Sequence, residues 1–293
     1  IMFVTQLAVD ALSIRLIAKV GQRLAVVAAH GFAAVGMIAL AVLPNVLTSP
    51  YVGIVIPCIL CSIGGGLIEV LISPIVESLP GDAKASSMSL LHSFYSWGQV
   101  LVIILTTLAL RITGPRLWYL LPLMWSLLPI FTLVKFTRVP LVPMVEEDKR
   151  TPLKTLFKSK VFLLALLMMI CSGASEMSMS QWASLFAEKG LGISKTMGDL
   201  LGPCMFAVMM GIMRTWYGVR GQKVDMTKTL VICSILCMAS FAITALSPIP
   251  AVSLLGCALC GLSVSLMWPG MLSITAAGYP SGGVAMFAVL ALG

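Results

Sequence analysis

Charge is the scarcest property of this sequence. Of its 293 residues, 10% are Asp, Glu, Lys or Arg, and only two are His. Soluble domains carry about 25% charged residues. Without that charge a chain cannot stay expanded in water, so disorder is excluded. An ordinary soluble enzyme is excluded too, because 59% of the residues are apolar, against roughly 45–50% in soluble domains. The net charge of +8 does not point to a nucleic-acid partner, since apolar runs of this length would not remain in water. Period-2 alternation is also missing, which excludes a membrane β-barrel. The eight cysteines, Cys58, Cys61, Cys171, Cys204, Cys233, Cys237, Cys257 and Cys260, all lie inside apolar runs. There they act as small packing residues rather than as a disulfide framework. Two Cys-x-x-Cys pairs mimic a zinc signature, but no soluble module surrounds them, and no metal or other cofactor is expected. Neither a nucleophile–base pair nor a cluster of metal ligands is visible, so the chain does not read as an enzyme.

What the sequence has is long apolar runs. About 20 apolar residues cross a bilayer as a helix, and backbone polar groups in lipid must pair within their own segment. Hydropathy predicts helices near 1–13, 24–44, 51–78, 87–110, 116–136, 161–187, 196–217, 228–247 and 250–277, with a last one starting near 283. A polar stretch over 138–160 interrupts the series. Lys and Arg collect on the cytoplasmic side of membrane proteins. Loops near 15–23, 82–84, 135–160 and 214–228 hold 15 of the 19 Lys and Arg, so they are assigned to that side. Glu77, Asp82 and Lys84 mark a cytoplasmic helix end, and the run 146–150 reads as a solvated linker.

The two halves repeat each other. Gly21-Gln22-Arg23 returns as Gly221-Gln222-Lys223, 200 residues on. Cys58-Ile59-Leu60-Cys61 returns as Cys257-Ala258-Leu259-Cys260, 199 residues on. Parallel repeats of six-helix halves are one architecture of membrane transporters. The offset leaves helix 161–187 without a partner in the first half. The expectation is therefore an all-α membrane protein of two pseudo-symmetric bundles, with about ten helices of an expected twelve. Its predicted parts are a first bundle over 1–137, a cytoplasmic linker over 138–160 and a second bundle over 161–293.

Local motifs narrow this. Gly64-Gly65-Gly66-Leu67-Ile68-Glu69 is followed by Ser73-Pro74, and Leu90-Leu91-His92-Ser93-Phe94-Tyr95-Ser96-Trp97-Gly98 lies in the next predicted helix. On these residues the chain resembles the major facilitator superfamily, and within it the bacterial fucose-permease-like sugar transporters. In that family's fourth helix an acidic residue stands five positions before a proline. Glu69 and Pro74 keep the spacing, and Ser73 replaces the usual Asn. The cytoplasmic motif Gly-x-x-x-Asp-Arg-x-Gly-Arg-Arg is degraded: Lys19, Gly21 and Arg23 fit it, but Ala18 stands at the Asp position. Asp10 is a candidate substitute. The resemblance implies a sugar or related polar substrate, often moved with a proton.

An ionisable group in mid-membrane costs roughly 2.5–3.5 kcal/mol on insertion scales and so faces a cavity or a partner. Glu69 shares its helix face with Gly65, Gly66, Ile72, Ser73 and Ser62; it reads as a proton site or substrate acceptor, or else as a structural hydrogen-bonded acid. Glu176 follows the same logic beside Ser172, Gly173 and Ser180, with Gln181 and Trp182 next to offer an amide and a stacking ring. His92, Tyr95, Ser96 and Gln99 share one face at i, i+3, i+4 and i+7. Tyr95 and Gln99 are the deeper pair, and His92, Lys19 and Arg23 are possible gates. Trp268, the repeat partner of Glu69, precedes Pro269-Gly270 and is a candidate aromatic at a bend. His30 reads as structural. The expected function is a proton-coupled transporter of a sugar-like solute, monomeric among lipids in a bacterial cytoplasmic membrane. The alternatives are a multidrug efflux antiporter and a non-transporting sensor on the same fold.

Overall fold

The computed structural model of the chain describes residues 1–142 and 151–292, with the backbone alone at 14, 15, 18 and 222. Among these residues there is no strand. The α-helices run in chain order as α1 Met2–Val20, α2 Gln22–Val46, α3 Pro50–Glu77, α4 Lys84–Thr113, α5 Leu120–Phe136, α6 Leu153–Lys158 and α7 Lys160–Leu185. They continue as α8 Lys195–Asp199, α9 Met205–Arg220, α10 Met226–Leu246, α11 Pro250–Val264, α12 Met267–Gly278 and α13 Gly283–Ala291. Among the described residues, eight helical runs are long and apolar enough to cross a membrane. The protein is a multi-pass helical membrane protein. The charged run 146–150 of the expected linker lies outside the described residues.

Helix ends follow local chemistry. Pro50 and Pro250 open α3 and α11, where a missing N–H costs nothing because the first-turn donors have no helical partner. Asp225 caps α10 by accepting from the Lys228 N–H at 3.2 Å, and Ser159 caps α7 by accepting from Phe162 at 3.4 Å.

Two boundaries differ from the sequence expectation. The first helix was expected to end near 13, with a charged loop over 15–23. Instead α1 continues to Val20 and stops only at Gly21, whose φ of 85° suits a residue without Cβ. The reason is packing, because Ile17 in that last stretch is buried with Ala25, Val26, Val70, Leu71 and Ile75. The predicted helix 250–277 is two helices, broken at Ser265–Leu266. Pro269 has no N–H for the carbonyl four residues earlier, so the helical ladder fails at Ser265.

The described residues group into two compact units. One comprises Ile1–Leu79, Leu108–Leu156 and Ser281–Leu292. Within it α2 packs on α3 and α5, and α1 packs on α3 and α13. The other comprises Pro80–Thr107 and Phe157–Pro280. Within it α11 packs on α9, α10 and α7, and α12 packs on α7. Its core holds Met179, Phe206, Met210 and Val264 together with Cys237, Cys257 and Cys260.

Helices in lipid associate through close packing of small residues rather than through exclusion of water. In the first unit, a Cβ on Gly64 would sit 2.7 Å from both the Ala29 carbonyl oxygen and the Ala33 nitrogen of α2. In the second, a Cβ on Gly261 would sit 2.1 Å from the Phe206 carbonyl oxygen. Gly65, next to Gly64, has nothing within 4 Å of a built Cβ. This neighbouring pair gives a matched test. Gly64→Ala is expected to destabilise the protein by about 1–3 kcal/mol, the usual range for forced overpacking. Gly65→Ala is expected to be neutral or slightly stabilising, because Ala is the better helix former. Thermal unfolding in detergent compares them, and equal midpoints would refute the close approach of α2 and α3.

Candidate functional site

Each unit holds one polar constellation inside apolar helices. In the first unit it lies on the α1–α3 contact. Glu69 of α3 is half-buried, and its Oε2 accepts from the Nε2 amide of Gln6 on α1. Asp10, one turn beyond Gln6 on the same face, is 2% exposed. Its Oδ1 lies beside Gly66, where a Cβ would approach to 2.9 Å. Ser73 is buried on α3. Glu69 thus addresses a neighbouring helix of its own unit and not the lipid.

In the second unit the centre is Arg214 of α9, which is 1% exposed. One Nη donates to Glu176 Oε2 of α7 at 2.9 Å, and Glu176 is itself buried. The other Nη donates to the Ser96 hydroxyl at 3.1 Å and to the His92 carbonyl at 3.3 Å, both on α4. Nε donates to the Ser265 carbonyl at 2.8 Å. That carbonyl is the one Pro269 leaves without a helical donor. A guanidinium has five N–H groups, and four are used here. The Tyr95 ring lies 5.9 Å from the guanidinium carbon, within cation–π range. Ser89 donates to the Arg214 carbonyl at 2.8 Å, and Trp97 Nε1 donates to Thr215 Oγ1 at 2.9 Å, so α4 is fastened to α9 above and below.

The remaining predicted residues divide. Ser180 shares the Glu176 face at i+4 and is half-buried, whereas Gln181 and Trp182 are exposed and stand on other faces of α7. Gln99 is half-buried, and its Oε1 has no hydrogen-bond partner among the described residues. Trp268 is half-buried in the first turn of α12, just after the break. Of the possible gates, Arg23 caps the end of α5, donating to the carbonyls of Phe136 at 2.9 Å and Val139 at 3.0 Å. Lys19 is exposed, and His92 is half-buried. His30 is buried, with Nδ1 at 2.8 Å from the Val26 carbonyl.

Arg214 corrects the sequence reading, which placed it in a cytoplasmic loop over 214–228. α9 in fact runs to Arg220, so Arg214 lies six residues, or about 9 Å of helix, before its end. That depth was the available signal, since a charge so far inside an apolar run needs a buried partner. Gln6 was not singled out by the sequence. Its interest comes only from the pairing of α1 with α3.

Removing one member of a buried ion pair strands the other charge, which costs about 3–5 kcal/mol. Glu176→Gln and Arg214→Met are each expected to lower thermal stability in detergent. The double variant should lose less than the sum of the singles, because the two side chains are coupled. Strict additivity in that cycle would show that the pair does not form.

Comparison with known proteins agrees with this architecture. The family model described as Major Facilitator Superfamily matches residues 1–293. Among solved structures, the E. coli fucose:proton symporter FucP superimposes with a TM-score of 0.77 at 15% identity, covering 97% of this chain and 77% of that one. The proton:xylose symporter XylE, solved with 6-bromo-6-deoxy-D-glucose, gives a TM-score of 0.81 at 14% identity, covering 99% and 74%. The human organic anion transporter MFSD10 gives 0.74 at 16% identity, covering 99% and 72%. Identities this low establish the shared fold and no more. None of the curated proteins matches the sequence. Matched over its whole length by the family model, and built of apolar helices that carry a buried polar constellation in each unit, the chain belongs to the Major Facilitator Superfamily.

Proposed function

We propose that the protein is a secondary transporter that carries a sugar or similar small polar solute across the membrane together with protons. Membership of a transporter superfamily supports the general class. The finer reading draws support from FucP and XylE, which are named as proton symporters of fucose and xylose. The observation that carries it is Glu69, an acid in the middle of an apolar helix whose carboxylate turns to an amide on α1. An acid kept at such a depth earns its cost through a proton or a substrate hydroxyl. Gln6 orients the carboxylate by donating to Oε2. In the other unit, Tyr95 offers a half-exposed aromatic face, and Gln99 a buried amide oxygen without a hydrogen-bond donor among the described residues. These are the groups a sugar ring and its hydroxyls need. No covalent step is involved, and transport proceeds by alternating access. The Lys and Arg bias of the loops supports assigning those loops to the cytoplasmic side.

The test is uptake of radiolabelled fucose and xylose into proteoliposomes under an imposed proton gradient. The wild-type protein is expected to accumulate one of them when the outside is acidic. Glu69→Gln should abolish accumulation while sparing exchange of labelled for unlabelled sugar down no gradient. Accumulation by Glu69→Gln equal to wild type would remove the proton role of Glu69. Failure of the wild-type protein to move either sugar, with export of hydrophobic cations instead, would favour efflux.

A further inference from the structure

The α1–α3 contact contains an acid that the transport reading does not use. Gln6 and Asp10 share one face of α1, and Gly66 and Glu69 share one face of α3. Both α1 residues meet that α3 face, Gln6 through its bond to Glu69 and Asp10 through the approach of Oδ1 to Gly66. Asp10 is 2% exposed, and its Oδ1 has no hydrogen-bond donor among the described residues. The Ser13 hydroxyl, the nearest candidate on its own helix, donates instead to the Asp10 backbone carbonyl at 2.7 Å.

Among the described residues, no cation on the helices packed against α1 faces this carboxyl. On α3 the acids are Glu69 and Glu77, and the other titratable groups, Tyr51, Cys58 and Cys61, are a neutral phenol and neutral thiols and not cations. On α13 there are none. On α2, Arg23 is committed to the carbonyls of Phe136 and Val139, and His30 stacks on Phe136 at 5.1 Å. On α1 itself, Lys19 is exposed and Arg15 stands five positions along, on a different face. An ionised carboxylate left without donor or cation in an apolar contact is strongly disfavoured, and such a group neutralises instead. Glu69, on the facing helix, is a second carboxyl at the same contact. The second unit shows the opposite solution, where Glu176 is matched by Arg214.

We propose that Asp10 is a proton-binding site of this protein, holding its carboxyl in the neutral acid form while α1 and α3 are packed and releasing the proton to water when that contact is opened. The release breaks one O–H bond, leaves the electron pair on the carboxylate and forms hydronium. Gly66 is the device that admits the acid, because any side chain there would fill the space Oδ1 occupies. The use of this proton in coupling rests on the transport reading above. Its presence on Asp10 does not, and is measured without any substrate.

Infrared difference spectroscopy on the purified protein in lipid, titrated around neutral pH, reads the C=O stretch of protonated carboxyls directly. The wild-type protein is expected to show such a band at pH 7, shifting in heavy water. Asp10→Asn, nearly isosteric with the neutral acid, should lose it, and Glu69→Gln should keep it. Gly66→Ala, which retains both acids but places a methyl 2.9 Å from Oδ1, should shift its frequency. This variant decides the matter even if Asp10→Asn fails to fold. A band that survives Asp10→Asn undiminished, a band unmoved by Gly66→Ala, or no protonated carboxyl in the wild type would each overturn the proposal. A protein that shows the Asp10 band but accumulates no sugar would uphold the proton site and discard the transport reading.

Discussion

Backbone and side-chain polar groups inside these helices have no water to fall back on, and in the second unit one guanidinium shows how that constraint is met. Arg214 donates to a carboxylate, a hydroxyl and two carbonyls on other helices. One of those carbonyls exists as a free acceptor only because Pro269 breaks the helix. The break and the arginine therefore explain each other. A proline kink this deep leaves a bare carbonyl that needs a donor, and a buried arginine needs acceptors that apolar helices rarely supply. Glu176 closes the arrangement by balancing the charge.

The first unit handles the same constraint differently. Asp10 and Glu69 both lie on the α1–α3 contact, with the Gln6 amide and Gly66 beside them. Such a cluster is not built for rigidity. The Glu176–Arg214 pair is balanced by a fixed countercharge, whereas the relief proposed for Asp10 is a proton. One unit thus carries an ion pair with a fixed countercharge, and the other carries two carboxyls on one helix contact. A transporter that couples a solute to protons needs at least one constellation of the second kind.

Most of the architecture was legible from periodicity and charge. Apolar runs long enough to cross a bilayer located the spans, since a helix is the only way such a run can satisfy its own backbone in lipid. The repeat of Gly21-Gln22-Arg23 at Gly221-Gln222-Lys223, and the motif around Glu69, pointed to the superfamily that the family model identifies over residues 1–293. Errors arose where a local rule met a packing need. Charges at Arg15 and Lys19 suggested a loop, yet Ile17 between them has a buried site to fill, and the helix runs on to Val20. Arg214 was counted with the loop cations because it lies near others in sequence, although the helix carries it inward.

Glu69, Glu176 and Tyr95 could be named from sequence because a polar group in an apolar helix is costly wherever it lands, and that cost belongs to the segment itself. Their partners could not. Gln6 meets Glu69 across 63 positions of chain, and Arg214 meets Glu176 across 38. The sequence by itself determined that this is a helical membrane protein with buried acids at known places, because hydropathy acts residue by residue along each span. Only the tertiary structure decided that Glu69 meets Gln6 and that Glu176 meets Arg214, because partnership depends on which helix faces lie against each other.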